Sequence, residues 1–465
     1  MLVFLGFTCV AGCNGSDANP SANGDVAGSG DASTSTDNGT PTEDVVEADA
    51  SNPVPLINSL TPPCDGSTKG PSPGVTPGED LHRVVLDNHP NAVCNDGSPA
   101  VMYIRAAASD DASGEWLFHL QGGSACRDYA TCRDRWCGNA PPYHAGKMSS
   151  QWTVESMKGS GILNRREGNP LAQANLVYVY YCSSDSHRGT RSDVVYSDPE
   201  NPSDQIRVHH RGNDIIVAVL DTLLAGSTVS DDGQETVPNL SEATRVLFTG
   251  TSAGSGGVAG HLDYVASRLP SANVLGVFDA GMDPAFSMLS ADLQAAVGER
   301  TDWDKSRQGA APVVDASCLA ANESDPSVCL RNTYVRLNHI TTPFFGRMDL
   351  ADSVLVKGYL GASPGLDLPT LAGWVRETLL MFGDVMTEAE ETPSRLPGIY
   401  APACQQHVGL TSEDWYDGAT VEDSSGTPMT LRAALERWLG GQDVGIIDTV
   451  PPSLSACSAT NDARD

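Results

Sequence analysis

The sequence predicts an α/β protein built on a mostly parallel sheet with helices on both faces and stabilised by disulfides. Three observations lead there: apolar runs rich in β-branched and aromatic residues alternate with stretches of helical periodicity, one Gly-rich turn stands between such a run and a helix, and the cysteines are numerous. Trp116-Leu117-Phe118-His119-Leu120 is a short apolar run that ends in Gly122-Gly123, the pattern of a buried strand feeding a tight loop. Leu176 to Tyr181 is a second strand, rich in Val and Tyr. Ile215, Ile216, Val219, Leu220, Leu223 and Leu224 share one helical face. Arg245 to Phe248 is the next strand, followed by the Gly-rich turn and a helix, and Asn273 to Phe278 and Pro343 to Met348 supply two more.

Composition narrows the function classes. Of 465 residues, 59 are acidic and 28 basic, a formal charge of −31. That excess repels phosphate backbones, so nucleic acid is not an expected partner, and it argues against adsorption to anionic lipid through basic patches. Hydrophobic residues at 40% suffice for a large core and exclude global disorder. No run of about twenty apolar residues is present to span a bilayer.

The N-terminus points to export. Leu2 to Val10 is a short apolar run leading into Val10-Ala11-Gly12-Cys13. Small residues directly before a cysteine resemble the bacterial lipobox, although the Lys or Arg that usually opens a signal peptide is missing. Residues 1–13 are therefore read as signal peptide and lipobox, with Cys13 as the lipidated residue and the lipid anchor as the sole membrane contact. Residues 14–61 read as a disordered linker. Asp17, Asp25, Asp31, Asp37, Glu43, Asp44, Glu47 and Asp49 stand there without a single base among Gly, Ser, Ala, Thr and Asn. Such a segment cannot bury enough apolar surface to offset its conformational entropy. The folded domain is then 62–465.

Setting aside Cys9 and Cys13, ten of the 12 cysteines remain, enough for up to five disulfides in an exported chain. Proximity alone suggests Cys318 with Cys329 and Cys404 with Cys457. Cys126, Cys132 and Cys137 could instead gather zinc, but no His or Cys pair accompanies them at finger spacing, and no metal site is expected.

The chemistry concentrates at Gly250-Thr251-Ser252-Ala253-Gly254, a Gly-x-Ser-x-Gly pentapeptide placed between a strand and a helix. A serine forced onto that sharp turn projects its hydroxyl above the sheet, while the flanking glycines let backbone pass without Cβ clashes. The Ala253 N–H can then face a developing oxyanion. A second donor must come from a loop after an earlier strand, and Gly122-Gly123-Ser124 is placed to provide the Gly123 and Ser124 amides. The bland alternatives are a flexible Gly/Ser turn and a plain Gly-Gly turn.

At this point the residues resemble the pectin acetylesterase and Notum family of serine carboxylesterases. Trp116 to Cys126, Thr131-Cys132, Gly161-Ile162-Leu163-Asn164, Asn169-Pro170, Tyr181-Cys182-Ser183-Ser184-Asp185, Gly250 to Gly254, Asp279-Ala280-Gly281 and Ala401-Pro402-Ala403-Cys404-Gln405-Gln406-His407 carry the resemblance in shared order. It implies an α/β-hydrolase-like fold with a triad in the order Ser, Asp, His. Ser252 takes the nucleophile position and His407 that of the general base. His119 lies within an apolar strand and His209-His210 in a polar pair, and both are read as structural or exposed. For the acid, laying down the strand that starts at Thr342-Pro343-Phe344-Phe345 without a gap selects Asp352, and a gapped placement selects Asp349. Asp352 could otherwise be a helix N-cap, and Asp349 an ordinary strand-end carboxylate. Asp279 and Asp283 are a third option, read instead as structural or pocket-lining.

Two departures from the family pattern stand out. Ser124 occupies a position that is usually Trp, and Ser255-Gly256-Gly257 follows Gly254 where relatives have Gly directly. The first removes a bulky wall beside the scissile ester and leaves backbone donation intact. The expectation is a hydrolase of O-acyl esters, most of all O-acetyl groups on a polysaccharide, acting without metal or organic cofactor. A Notum-like deacylase of longer acyl chains is the alternative within enzymes. A catalytically inactive cell-surface carbohydrate-binding module, stacking sugars on Trp136, Trp152 or Trp415, is the alternative outside them.

Overall fold

The computed structural model describes residues 54–60, 64, 70–140, 142–387 and 397–450. Ten strands form the central sheet: β1 (Pro77–Val85), β2 (Val101–Arg105), β3 (Glu115–Leu120), β4 (Ser156–Met157), β5 (Asn175–Val179), β6 (Arg245–Thr251), β7 (Asn273–Asp279), β8 (Phe344–Arg347), β9 (Gly398–Ala401) and β10 (Gly445–Ile447). Their spatial order is β10-β9-β8-β7-β6-β3-β5-β2-β1-β4. From β10 through β5 every neighbour pair is parallel; β2, β1 and β4 complete the sheet antiparallel.

The apolar runs become strands because a parallel sheet covered by helices buries both faces of each strand. All five residues of β2 and of β5 are buried, as are all but the first of β3 and β6. Phe118 and Phe248 stand opposite each other in the β3–β6 ladder with ring centroids 6.3 Å apart. Helix α2 (Gly212–Leu224) buries Ile215, Ile216, Val219, Leu220 and Leu223, the face its spacing predicts. Helix α3 (Ala253–Arg268) follows β6 without a loop. Among the described residues no helix is long and apolar enough to cross a membrane.

A second, smaller core surrounds α1 (Tyr129–Cys137), where Ile57, Tyr129, Trp136, Met148 and Ile206 pack together. Residues 54–60, read from sequence as the end of the linker, join it: Ile57 is fully buried, and the Arg207 N–H donates to the Pro55 carbonyl at 3.0 Å. Leu56, Ile57 and Leu60 give this short segment the apolar surface that the acidic stretch before it lacks. Trp136 is buried against Trp152, with ring centroids 5.9 Å apart, so it is no exposed sugar platform.

Four disulfides are present among the described residues: Cys64–Cys137, Cys94–Cys182, Cys126–Cys132 and Cys318–Cys329. Cys318 and Cys329 pair as proximity suggested, whereas Cys457, like Cys13, lies outside the described residues. Cys126, Cys132 and Cys137 are all oxidised, which removes the thiolates a zinc site would need.

Candidate active site

The carboxyl ends of β3, β6, β7, β8 and β9 converge on one edge of the sheet, and the loops leaving them carry the chemistry. β6 ends at Thr251, α3 begins at Ala253, and Ser252 between them holds φ 52° and ψ −116°. A non-glycine residue adopts that backbone only under constraint from its surroundings. The Ser252 N–H is anchored on the Asp279 carbonyl at 2.8 Å. The glycines are sterically required: a Cβ on Gly250 would lie 2.3 Å from the Gly254 carbonyl oxygen, and one on Gly254 2.1 Å from that of Leu120.

His407, on the loop after β9, brings Nε2 to 2.8 Å from Ser252 Oγ and Nδ1 to 2.8 Å from Asp352 Oδ2. The His407 side chain is 24% exposed and that of Asp352 fully buried. Asp352 serves two partners at once. Its Oδ1 accepts the Val354 and Leu355 N–H groups at 2.9 and 3.1 Å, capping the helix Ser353–Ala362, while Oδ2 faces the imidazole. The cap fixes the carboxylate, and the carboxylate fixes the ring with a proton on Nδ1 and a free lone pair on Nε2 toward the serine.

Asp349 lies elsewhere, in a buried ionic knot with Arg347 and Asp279. One guanidinium cannot neutralise two carboxylates out of water, and burial pushes the Asp349 carboxyl up to about 7 against the pull of Arg347. The knot holds the histidine loop from three sides. Arg347 donates to the His407 carbonyl at 3.0 Å and the Gln406 carbonyl at 3.2 Å. Asp349 accepts the Gln406 N–H at 2.7 Å, and Asp279 accepts those of Gly409 and Leu410 at 3.1 and 2.8 Å. Asp279 is thus structural, as expected. Asp283 lines a separate cavity beside Tyr359. The Gly161-Ile162-Leu163 turn braces the same loop, with the Ile162 N–H on the Leu410 carbonyl at 2.9 Å.

A cavity of about 260 Å³ opens at Ser252 and His407. Gly122 and Gly123 form one wall; His119, Gln121, Tyr143, Lys147 and Ser160 supply polar groups beside the apolar Met157, Leu163 and Val408. His119 is buried, its Nδ1 2.9 Å from Thr249 Oγ1, and burial lowers its pKa to about 3, which keeps the ring neutral. His210 is buried on the Ser183 carbonyl, and His209 donates no part of this cavity's lining. Among the described residues the amides of Gly123, Ser124 and Ala253 have no intramolecular acceptor. Arg347, Lys147 and Arg135 escaped the sequence reading because the backbone carbonyls they bind lie 12 to 60 residues away and no local pattern marks them.

An elbow serine between a parallel strand and a helix, with a histidine returning on a later loop, defines a member of the α/β-hydrolase fold. The profile described as Pectinacetylesterase matches residues 78–458, and the chain belongs to that family. It is 29% identical over 366 residues to the palmitoleoyl-protein carboxylesterase NOTUM of Drosophila melanogaster, an alignment covering 77% of this chain and 48% of that protein. It is 27% identical over 345 residues to pectin acetylesterase 7 of Arabidopsis thaliana, covering 70% and 78%. The solved structure of the Wnt deacylase Notum from Drosophila superposes with a TM-score of 0.59 at 25% identity, over 80% of this chain and 96% of that one. The chain spans about half the length of its Drosophila relative.

Proposed function

We propose that this protein is a serine carboxylesterase that removes short O-acyl groups, acetyl above all, from a polysaccharide. The observation that carries the reading is the unbroken chain Ser252 Oγ, His407 Nε2, His407 Nδ1, Asp352 Oδ2, with both links at 2.8 Å. His407 takes the Ser252 proton as Oγ attacks the ester carbonyl. Asp352 steadies the imidazolium, and the amides of Gly123, Ser124 and Ala253 receive the oxyanion. Collapse expels the sugar hydroxyl, protonated by His407, and water repeats the cycle on the acyl-enzyme. The triad and amides supply acid–base and electrostatic chemistry, so no cofactor is invoked.

The modest volume of the cavity, with Gln121, Tyr143, Lys147 and Ser160 set among its apolar wall residues, favours a small acyl group on a hydrophilic carrier. One observation favours longer chains: a second cavity of about 480 Å³ is walled by apolar groups including Phe286, Leu289, Val297 and Leu330. Ser252 and His407 do not line it, so the acetyl reading is preferred. We also propose that the protein is exported and held at the bacterial cell envelope by lipid on Cys13; the lipobox-like residues and the disulfides support this. Hydrolysis of p-nitrophenyl esters of increasing chain length, with Ser252→Ala as control, tests the activity. Rates falling with chain length and vanishing in the variant are expected. A preference for long chains would select the other acyl reading, and an active variant would remove Ser252 as nucleophile.

A further inference from the structure

We infer that Lys147, with Arg135 and Tyr181, is a positioning residue that sets the oxyanion loop by seizing its backbone carbonyls. This rests on the serine-hydrolase reading above. Three consecutive carbonyls after β3 are each taken by a different side chain. Lys147 Nζ donates to that of Gly122, Arg135 Nη1 to that of Gly123, and the Tyr181 hydroxyl to that of Ser124, each at 2.7 Å. In a trans peptide the C=O and the following N–H point opposite ways. Holding the carbonyls of Gly122 and Gly123 therefore aims the Gly123 and Ser124 amides to the other side, where they keep no intramolecular acceptor among the described residues. Gly122 sits against the nucleophile: a Cβ there would lie 3.1 Å from Ser252 Cβ.

The loop needs such external restraint. Gly123 at φ 140° and Ser124 at φ 54° occupy backbone regions that no helix or strand would enforce. The cations that supply it are costly to bury. Lys147 and Arg135 are each 2% exposed, and no carboxylate lies within ion-pair distance of either among the described residues. Burial and the neighbouring Arg135 press the Lys147 pKa well below its usual value. What compensates is the carbonyl they bind and the tyrosine faces around them: Arg135 lies 4.7 Å from the Tyr143 ring centroid and 5.8 Å from that of Tyr181. The Lys147 bond to the Gly122 carbonyl also polarises that peptide and makes the Gly123 N–H a stronger donor.

The test compares Lys147→Met, which keeps length and apolar volume, with Tyr181→Phe, which removes one hydroxyl and no volume. Steady-state kinetics on p-nitrophenyl acetate are measured beside inhibition by a trifluoromethyl ketone, which mimics the tetrahedral adduct. Lys147→Met should lower kcat at least tenfold with KM within twofold, and should weaken the ketone by the same factor. Tyr181→Phe should act in the same direction by a smaller factor, and should lower the thermal transition only modestly, since the Ser186 N–H loses its acceptor as well. If Lys147→Met does not fold, Tyr181→Phe decides alone. Parental kcat in the folded variants, or a loss lying in KM while the ketone binds as before, would overturn the inference. Ser252→Ala separates the two levels. If it is inactive while Lys147→Met keeps parental kcat, only the positioning role fails; if it is active, the hydrolase reading fails.

Discussion

Asp352 shows how one side chain can satisfy two readings that compete in the sequence. Its N-cap bonds to Val354 and Leu355 and its bond to His407 use different oxygens, so capping orients the carboxylate for the imidazole. Asp349, three residues earlier, faces Arg347 and the Gln406 amide instead. The two aspartates should therefore respond differently to the isosteric amide. Asp352→Asn should leave the fold near its parental stability while lowering kcat on the order of 10⁴-fold, because the amide favours the wrong imidazole tautomer. Asp349→Asn should lower the unfolding free energy while kcat per folded molecule falls far less. Equal kinetic losses in both would show that the acid is not assigned by these contacts. The sequence reduced the choice to these two residues. It could not finish it, because the outcome depends on a turn geometry set by Pro402, Cys404 and Gln405, whose carbonyls accept the N–H groups of Leu350, Ala351 and Ser353.

At the level of elements, the β6–α3 junction ties the nucleophile to the sheet. α3 starts so close to β3 that only hydrogen fits between Gly254 and the Leu120 carbonyl. Gly254→Ala should destabilise the protein by about 3 kcal/mol in urea unfolding and depress activity in the molecules that remain folded, since the obstacle is backbone and cannot rotate away. Unchanged stability would mean that the junction tolerates displacement. Strands β3, β5, β6, β7 and β8 were legible because a strand buried on both faces must be almost wholly apolar. The outer strands β9 and β10, of four and three residues, offer too few side chains for any periodicity to register. β1 is half solvated at the antiparallel side and carries Glu79, Asp80, His82 and Arg83, which blur its pattern.

Across the whole molecule, two of the four disulfides join segments far apart in sequence. Cys94–Cys182 closes a separation of 88 residues directly after β5, next to Tyr181, and Cys64–Cys137 ties the N-terminal segment to α1. In the chain-entropy account a loop of that size contributes about 4–5 kcal/mol. Reducing agent should accordingly lower the melting temperature by ten degrees or more, and the Cys94→Ala/Cys182→Ala pair should reproduce a large part of the shift. A melting temperature indifferent to reduction would show that the bonds do not stabilise the native state. The small core around α1, held by Cys126–Cys132 and Cys64–Cys137, carries Arg135. Loss of those bonds should therefore reach kcat as well as stability.

The sequence by itself determined the sheet-forming runs, the elbow and the order of the functional residues, because each is written in neighbouring side chains: apolar content, glycines at fixed offsets, a serine between them. It also bounded the partners through charge, since a net −31 needs no structure to repel a polyanion. Only the tertiary structure decided which aspartate meets His407, which cysteines join beyond the nearest pair, and which cations hold the oxyanion loop. Apart from Cys126–Cys132, six residues apart, those contacts span 12 to 88 residues, and their geometry exists only after the sheet has brought the strand ends together.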